Sequence, residues 1–131
     1  MKSSFTILLW SIIAITINAQ TITYKPTMSK YIGTWQAEIG ASRFTISFER
    51  KGNKLNINSQ QVFIYGVGAG YGQEDNYNKI VWDGKGFICT KICSDGLPLI
   101  TTWRLSGNYL KRFLHAPPNP PDNVFYNFHK V

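Results

Sequence analysis

Arg43-Phe44-Thr45-Ile46-Ser47-Phe48-Glu49-Arg50 decides the fold class. Successive side chains on a strand point to opposite faces, so Phe44, Ile46 and Phe48 share one face. Thr45, Ser47 and Glu49 share the other. One face packs and the other is wet, the pattern of a half-buried antiparallel strand. The flanks repeat it. Tyr31 to Ile39 makes a preceding strand with Gly40-Ala41-Ser42 as its turn. Lys51-Gly52-Asn53 turns the chain into Lys54 to Ile57, where Leu55 and Ile57 alternate with asparagines. Gln61 to Tyr65 either continues that strand past a bulge or starts another.

The rest of the chain follows suit. Strands are expected at Lys79–Trp82, Phe87–Ile92, Leu99–Leu105, Asn108–His115 and Asn123–Lys130. Asp83-Gly84-Lys85-Gly86 is a hairpin-type turn. Ala116 to Pro121 holds prolines that no regular ladder contains. Residues 20–30 read as an extended leader, with an edge strand at Thr21–Tyr24 that Lys25-Pro26 ends. No helical stripe is visible. The expectation is an all-β domain: a small antiparallel up-and-down barrel of seven to eight strands over residues 31–131. A β-sandwich is the alternative. Near-neighbour connectivity favours the barrel, which removes exposed edges.

The N-terminal segment has a different origin. Lys2 precedes an apolar run from Phe5 to Ile17, and Ala19 is a small residue suited to cleavage. That is the pattern of a secretory signal peptide, and the run is shorter than the roughly 20 residues of a membrane span. Removing residues 1–19 of the 131 leaves 112, a length for one domain. The loss of Lys2 takes the net charge from +7 to +6. The expected location is secreted or periplasmic, with no membrane span after cleavage. The basic residues are spread out, and only Arg50-Lys51 and Lys111-Arg112 are adjacent pairs. They read as a solvated face and not as a nucleic-acid stripe.

Two cysteines, Cys89 and Cys93, can form a local disulfide in an exported chain. Four residues of extended strand cover about 13 Å, and a disulfide needs Cα atoms within about 7 Å, so the backbone must turn between them. Neither His115 nor His129 lies near them in sequence, and no metal or other cofactor is implied. Gly66 to Gly72 has no P-loop ending and no helix behind it. It reads as a solvent loop or as a lip over a barrel mouth, with Tyr65, Tyr71 and Tyr77 nearby. Trp82 and Trp103 sit in strand centres, as core residues or as stacking surfaces for a ligand. No hydrolase elbow or zinc-protease motif is present, so no catalytic residue is assigned.

Gly33-Thr34-Trp35, preceded by Tyr31-Ile32, resembles the G-x-W signature of the calycin superfamily, which includes lipocalins, fatty-acid-binding proteins and avidins. The start of the chain also resembles small exported proteins of flavobacteria and related Bacteroidetes. The resemblance implies that Trp35 closes one barrel end and that a basic residue of the last strand covers its ring. Lys130 matches that position best, with Arg112 as runner-up. An inward Arg112 would be either that lid or an anchor for a ligand anion. The chain is shorter than a typical lipocalin and lacks the family's further motifs. Three functions stay open, and the least favoured is an enzyme, which would need two titratable groups converging in a cleft. The first is a binding protein for a small apolar or amphipathic molecule, which needs a cavity of roughly 300 Å³ or more. The second is a protein-binding module or protease inhibitor that uses the loops of one barrel end.

Overall fold

The structure, a computed structural model, describes residues 21–65, 72–119 and 125–131. The expected signal peptide, residues 1–19, lies outside them. Among the described residues, ten strands form one antiparallel sheet: β1 (Thr21–Thr23), β2 (Gly33–Ile39), β3 (Ser42–Lys51), β4 (Lys54–Phe63), β5 (Gly72–Asp75), β6 (Lys79–Trp82), β7 (Gly86–Ile92), β8 (Pro98–Ser106), β9 (Tyr109–His115) and β10 (Phe125–Lys130). The order β1-β4-β3-β2-β10-β9-β8-β7-β6 bends into a nearly closed barrel, with β5 paired to β4 off that path. The edges β1 and β6 approach each other. No helix among the described residues is long and apolar enough to cross a membrane.

The path holds nine strands where seven or eight were expected, because β1 is a true ladder member, paired Thr21 to Asn56 and Thr23 to Lys54. The Lys54 and Gln61 segments are one strand, since β4 pairs with β3 without interruption from Lys51–Lys54 to Ser42–Phe63. The leader is not extended throughout. Pro26–Tyr31 forms a 3-10 helix. Pro26 fits its first turn, where the missing N–H would have no helical partner anyway.

The registers give the barrel two unlike ends. At one end meet the starts of β2, β4, β7 and β9 and the finishes of β3, β6, β8 and β10, together with the 3-10 helix. This end is solid. Met28, Tyr31, Phe48, Leu55, Ile57, Phe87, Trp103, Leu110 and Phe128 are all buried there. Tyr31 is the plug. Its ring meets Phe87, Phe48 and Trp82 edge-on, at centroid distances of 5.0, 5.6 and 5.7 Å. Its hydroxyl donates to the Lys85 carbonyl (2.6 Å) and accepts from Leu105 N–H (3.2 Å), which pins the helix to two turns across the barrel. Burial pushes the Tyr31 phenol above its ordinary range.

Cys89 and Cys93 are separate thiols, not a disulfide. β7 stays extended through Ile92, so the turn a bridge would need comes too late. Cys89 points into the core, where burial pushes its thiol up to about 12.

Candidate functional site

The inward side chains of each strand change character from the closed end to the open one. Along β4 they read Leu55, Ile57, Ser59, Gln61. Along β7 they read Phe87, Cys89, Lys91, and along β8 from its closed-end finish Trp103, Thr101, Leu99. Hydrocarbon fills the first half. Toward the open end, smaller and polar groups leave space. The result is a cavity of about 270 Å³ lined by Phe44, Gln61, Tyr77, Lys91, Leu99, Thr101, Arg112 and Leu114. That is just under the roughly 300 Å³ expected of a carrier.

Arg112 is the floor of this cavity. It is only 8% exposed. Its guanidinium carbon lies 4.6 Å from the Phe44 ring centroid, 5.4 Å from Tyr126, 5.5 Å from Phe128 and 6.0 Å from Trp103. Ring faces carry negative charge density, so this cage offsets part of the cost of burying a cation. Below it, Trp103 and Phe128 pack edge to face at 5.1 Å. Lys91 adds a second cationic side chain to the lining, and Gln61 is held by a hydrogen bond from its amide to Ser42 Oγ at 3.0 Å. No carboxylate is among the described residues that line the cavity.

The described carboxylates are elsewhere. Glu38 pairs with Arg43 on the surface at 2.9 Å, and Asp95 caps the β7–β8 turn through Leu97 N–H. Asp83 accepts from Arg104 Nη2 (2.6 Å), Lys85 N–H (2.9 Å) and Gly86 N–H (2.8 Å). The Arg104 hydrogen bond, with the turn amides, lowers its carboxyl to about 2. A depressed carboxylate stabilises the fold above its unfolded value and loses that contribution as pH falls through the folded one. Replacing Asp83 by Asn should therefore cost about 1 kcal/mol near neutrality, after allowance for solvent screening. The gap from wild type should close by about pH 2, as denaturant midpoints measured across the acid range would show.

The signature residues meet at the closed end. Lys130 pairs with Trp35 across β10 and β2, and its ammonium lies 5.5 Å from the indole centroid. Trp35 Nε1–H donates to the Tyr31 carbonyl at 3.0 Å. Gly33 has φ +133°, and a Cβ there would fall 2.5 Å from Lys130 Cε, so glycine lets the lysine stem cross. Arg112 is not part of this cluster. It faces the cavity at the other end.

The expected tyrosine group does not form as one surface. Tyr77 is buried and lines the cavity, whereas Tyr65 is 64% exposed. Tyr71 and residues 66–70 lie outside the described residues. Trp82 meets Phe87 at a tilt of 50°, with centroids 4.8 Å apart in the closed half, and Trp103 is core beneath Arg112, so neither is among the residues that line the cavity. Sequence reasoning missed Lys91, Thr101 and Gln61. Period-two counting from Phe87, Trp103 and Leu55 would have placed all three on the inner face. Among the described residues, no group of three or more His, Cys, Asp or Glu side chains is placed to hold a metal ion.

Fold and site together define a small antiparallel β-barrel, solid at one end and, among the described residues, with a cavity toward the other and a buried arginine between the halves. The chain belongs to a family of unknown function, DUF6705, whose pattern matches residues 1–80. Neither a curated protein nor a solved structure gives a match.

Proposed function

We propose that this barrel is an exported binding protein that holds a small amphipathic anion in its open half without transforming it. The carrying observation is the cavity itself, with apolar walls from Phe44, Leu99 and Leu114 and the cationic side chains of Arg112 and Lys91. A molecule with a short hydrocarbon body and one negative group matches both kinds of wall. The signal-like residues 1–17 support export, and the Gly33–Trp35–Lys130 cluster supports the lipocalin-like reading.

Arg112 separates this function from stability. Methionine is unbranched and of similar length, and it packs well among aromatic rings. Arg112→Met is therefore expected to remain folded, as its melting transition checks. It should weaken octanoate binding by roughly 10- to 100-fold, the worth of a charge-assisted hydrogen bond. Binding of 1-octanol should change little. Calorimetric titration of both ligands against wild type and variant checks this, and equal octanoate affinity in the two proteins would refute the role of Arg112.

A second reading rests on exposed apolar side chains at the open end. Ile92 and Leu97 flank the β7–β8 turn and are about half exposed. Such residues are what a protein partner or protease inhibitor surface would use.

A further inference from the structure

The closed end carries an arrangement that the fold itself does not need. Lys51 and Lys54 are the last facing pair of the β3–β4 hairpin, across Gly52-Asn53. Like charges directly opposite one another destabilise a hairpin. Arg50 adds a third charge at the same turn, with its guanidinium 4.2 Å from the Tyr24 ring centroid and its Nε–H donating to the Gly52 carbonyl. Tyr24 N–H donates to the Asn53 carbonyl at 2.7 Å, which brings Lys25 beside the turn. Lys30 follows on the 3-10 helix, and all five side chains are exposed. Glu49 is the carboxylate next to them in sequence, while Asp83 at the same barrel end is taken by Arg104.

We propose that this end docks onto an anionic lipid bilayer. The charges come mostly from lysines, compact point charges on flexible stems, which suit a diffuse layer of phosphates more than bidentate recognition. Lysine is depleted in protein–protein interfaces, which argues against a protein partner here. Tyr109 is exposed at the same end, and an aromatic ring with a polar tip fits the headgroup boundary. Docked this way, the barrel keeps its cavity toward the water. The proposal does not depend on what the cavity holds.

The test is co-sedimentation of the purified protein with vesicles of phosphatidylcholine alone and of phosphatidylcholine mixed with phosphatidylglycerol. Binding is expected only to the mixed vesicles and should vanish at 1 M salt, where the screening length is about 3 Å. Lys51→Glu with Lys54→Glu should weaken it on the order of tenfold or more. Lys79→Glu, at the open end, should leave it nearly unchanged. Equal binding to the neutral vesicles, no binding to the mixed ones, or an equal loss in the Lys79 variant would each overturn the proposal. Capture by an acidic polysaccharide without vesicle binding would overturn it as well and assign the surface to a different polyanion.

Discussion

Replacing Tyr31 by alanine is expected to destabilise the protein by about 4 kcal/mol, within the range for deleting a buried aromatic side chain. Two losses add. The ring contacts to Phe48, Trp82 and Phe87 disappear and a cavity opens under the 3-10 helix. The Leu105 N–H and Lys85 carbonyl lose their shared hydroxyl. Tyr31→Phe keeps the ring and drops the hydroxyl, so it should cost only about 1–3 kcal/mol. Urea denaturation of the two variants separates packing from hydrogen bonding. If both cost the same, the ring is not the plug.

Gly86→Ala should cost about 3 kcal/mol or somewhat more, although it adds a single methyl group. A Cβ at this position would overlap the Trp103 carbonyl oxygen and lie 2.9 Å from Arg104 Cγ. The obstacle is backbone on the paired strand β8, and it cannot turn aside as a side chain would. The strands must part, which loosens the Asp83 turn and the neighbouring Phe87 together. Thermal unfolding followed by near-ultraviolet dichroism would register both the lower midpoint and the disturbed tryptophans. A midpoint within about 2 °C of wild type would show that the β7–β8 contact yields easily.

Much of this architecture was legible in the sequence, and the failures have identifiable causes. The 44, 46, 48 alternation located β3, and Asp83-Gly84 located a hairpin whose strand β6 lies where expected. Lys130 lies over Trp35 because a strand ending two residues past buried Phe128 must present its next inward side chain at the barrel rim. The 3-10 helix is hidden in the sequence because Lys25-Pro26 signals the end of a strand as readily as the start of a helix. β5 was missed because Gly72-Gln73-Glu74-Asp75 shows no alternation of apolar and polar residues. It is held by backbone pairing to β4, a contact that local sequence does not encode.

The site was half visible. The sequence offers two roles for Arg112 if it points inward, and the choice between them depends on which end of β9 faces the plug. That is a property of register, and β9 places Leu110 at the closed end and Arg112 above it, opposite Trp103. The shift from apolar to polar residues along the inner faces was present in Leu55-Ile57-Ser59-Gln61. It acquires meaning only when several strands are aligned by their pairing.

The central claim is that the open half alone is a binding chamber. Methyl-resolved nuclear magnetic resonance during titration with octanoate tests it most directly. The Leu99 and Leu114 methyl signals, in the cavity wall, should move and saturate, while those of Leu55, Ile57 and Leu110, in the solid half, stay in place. Shifts centred on Leu55, Ile57 and Leu110, or none at saturating ligand, would contradict it.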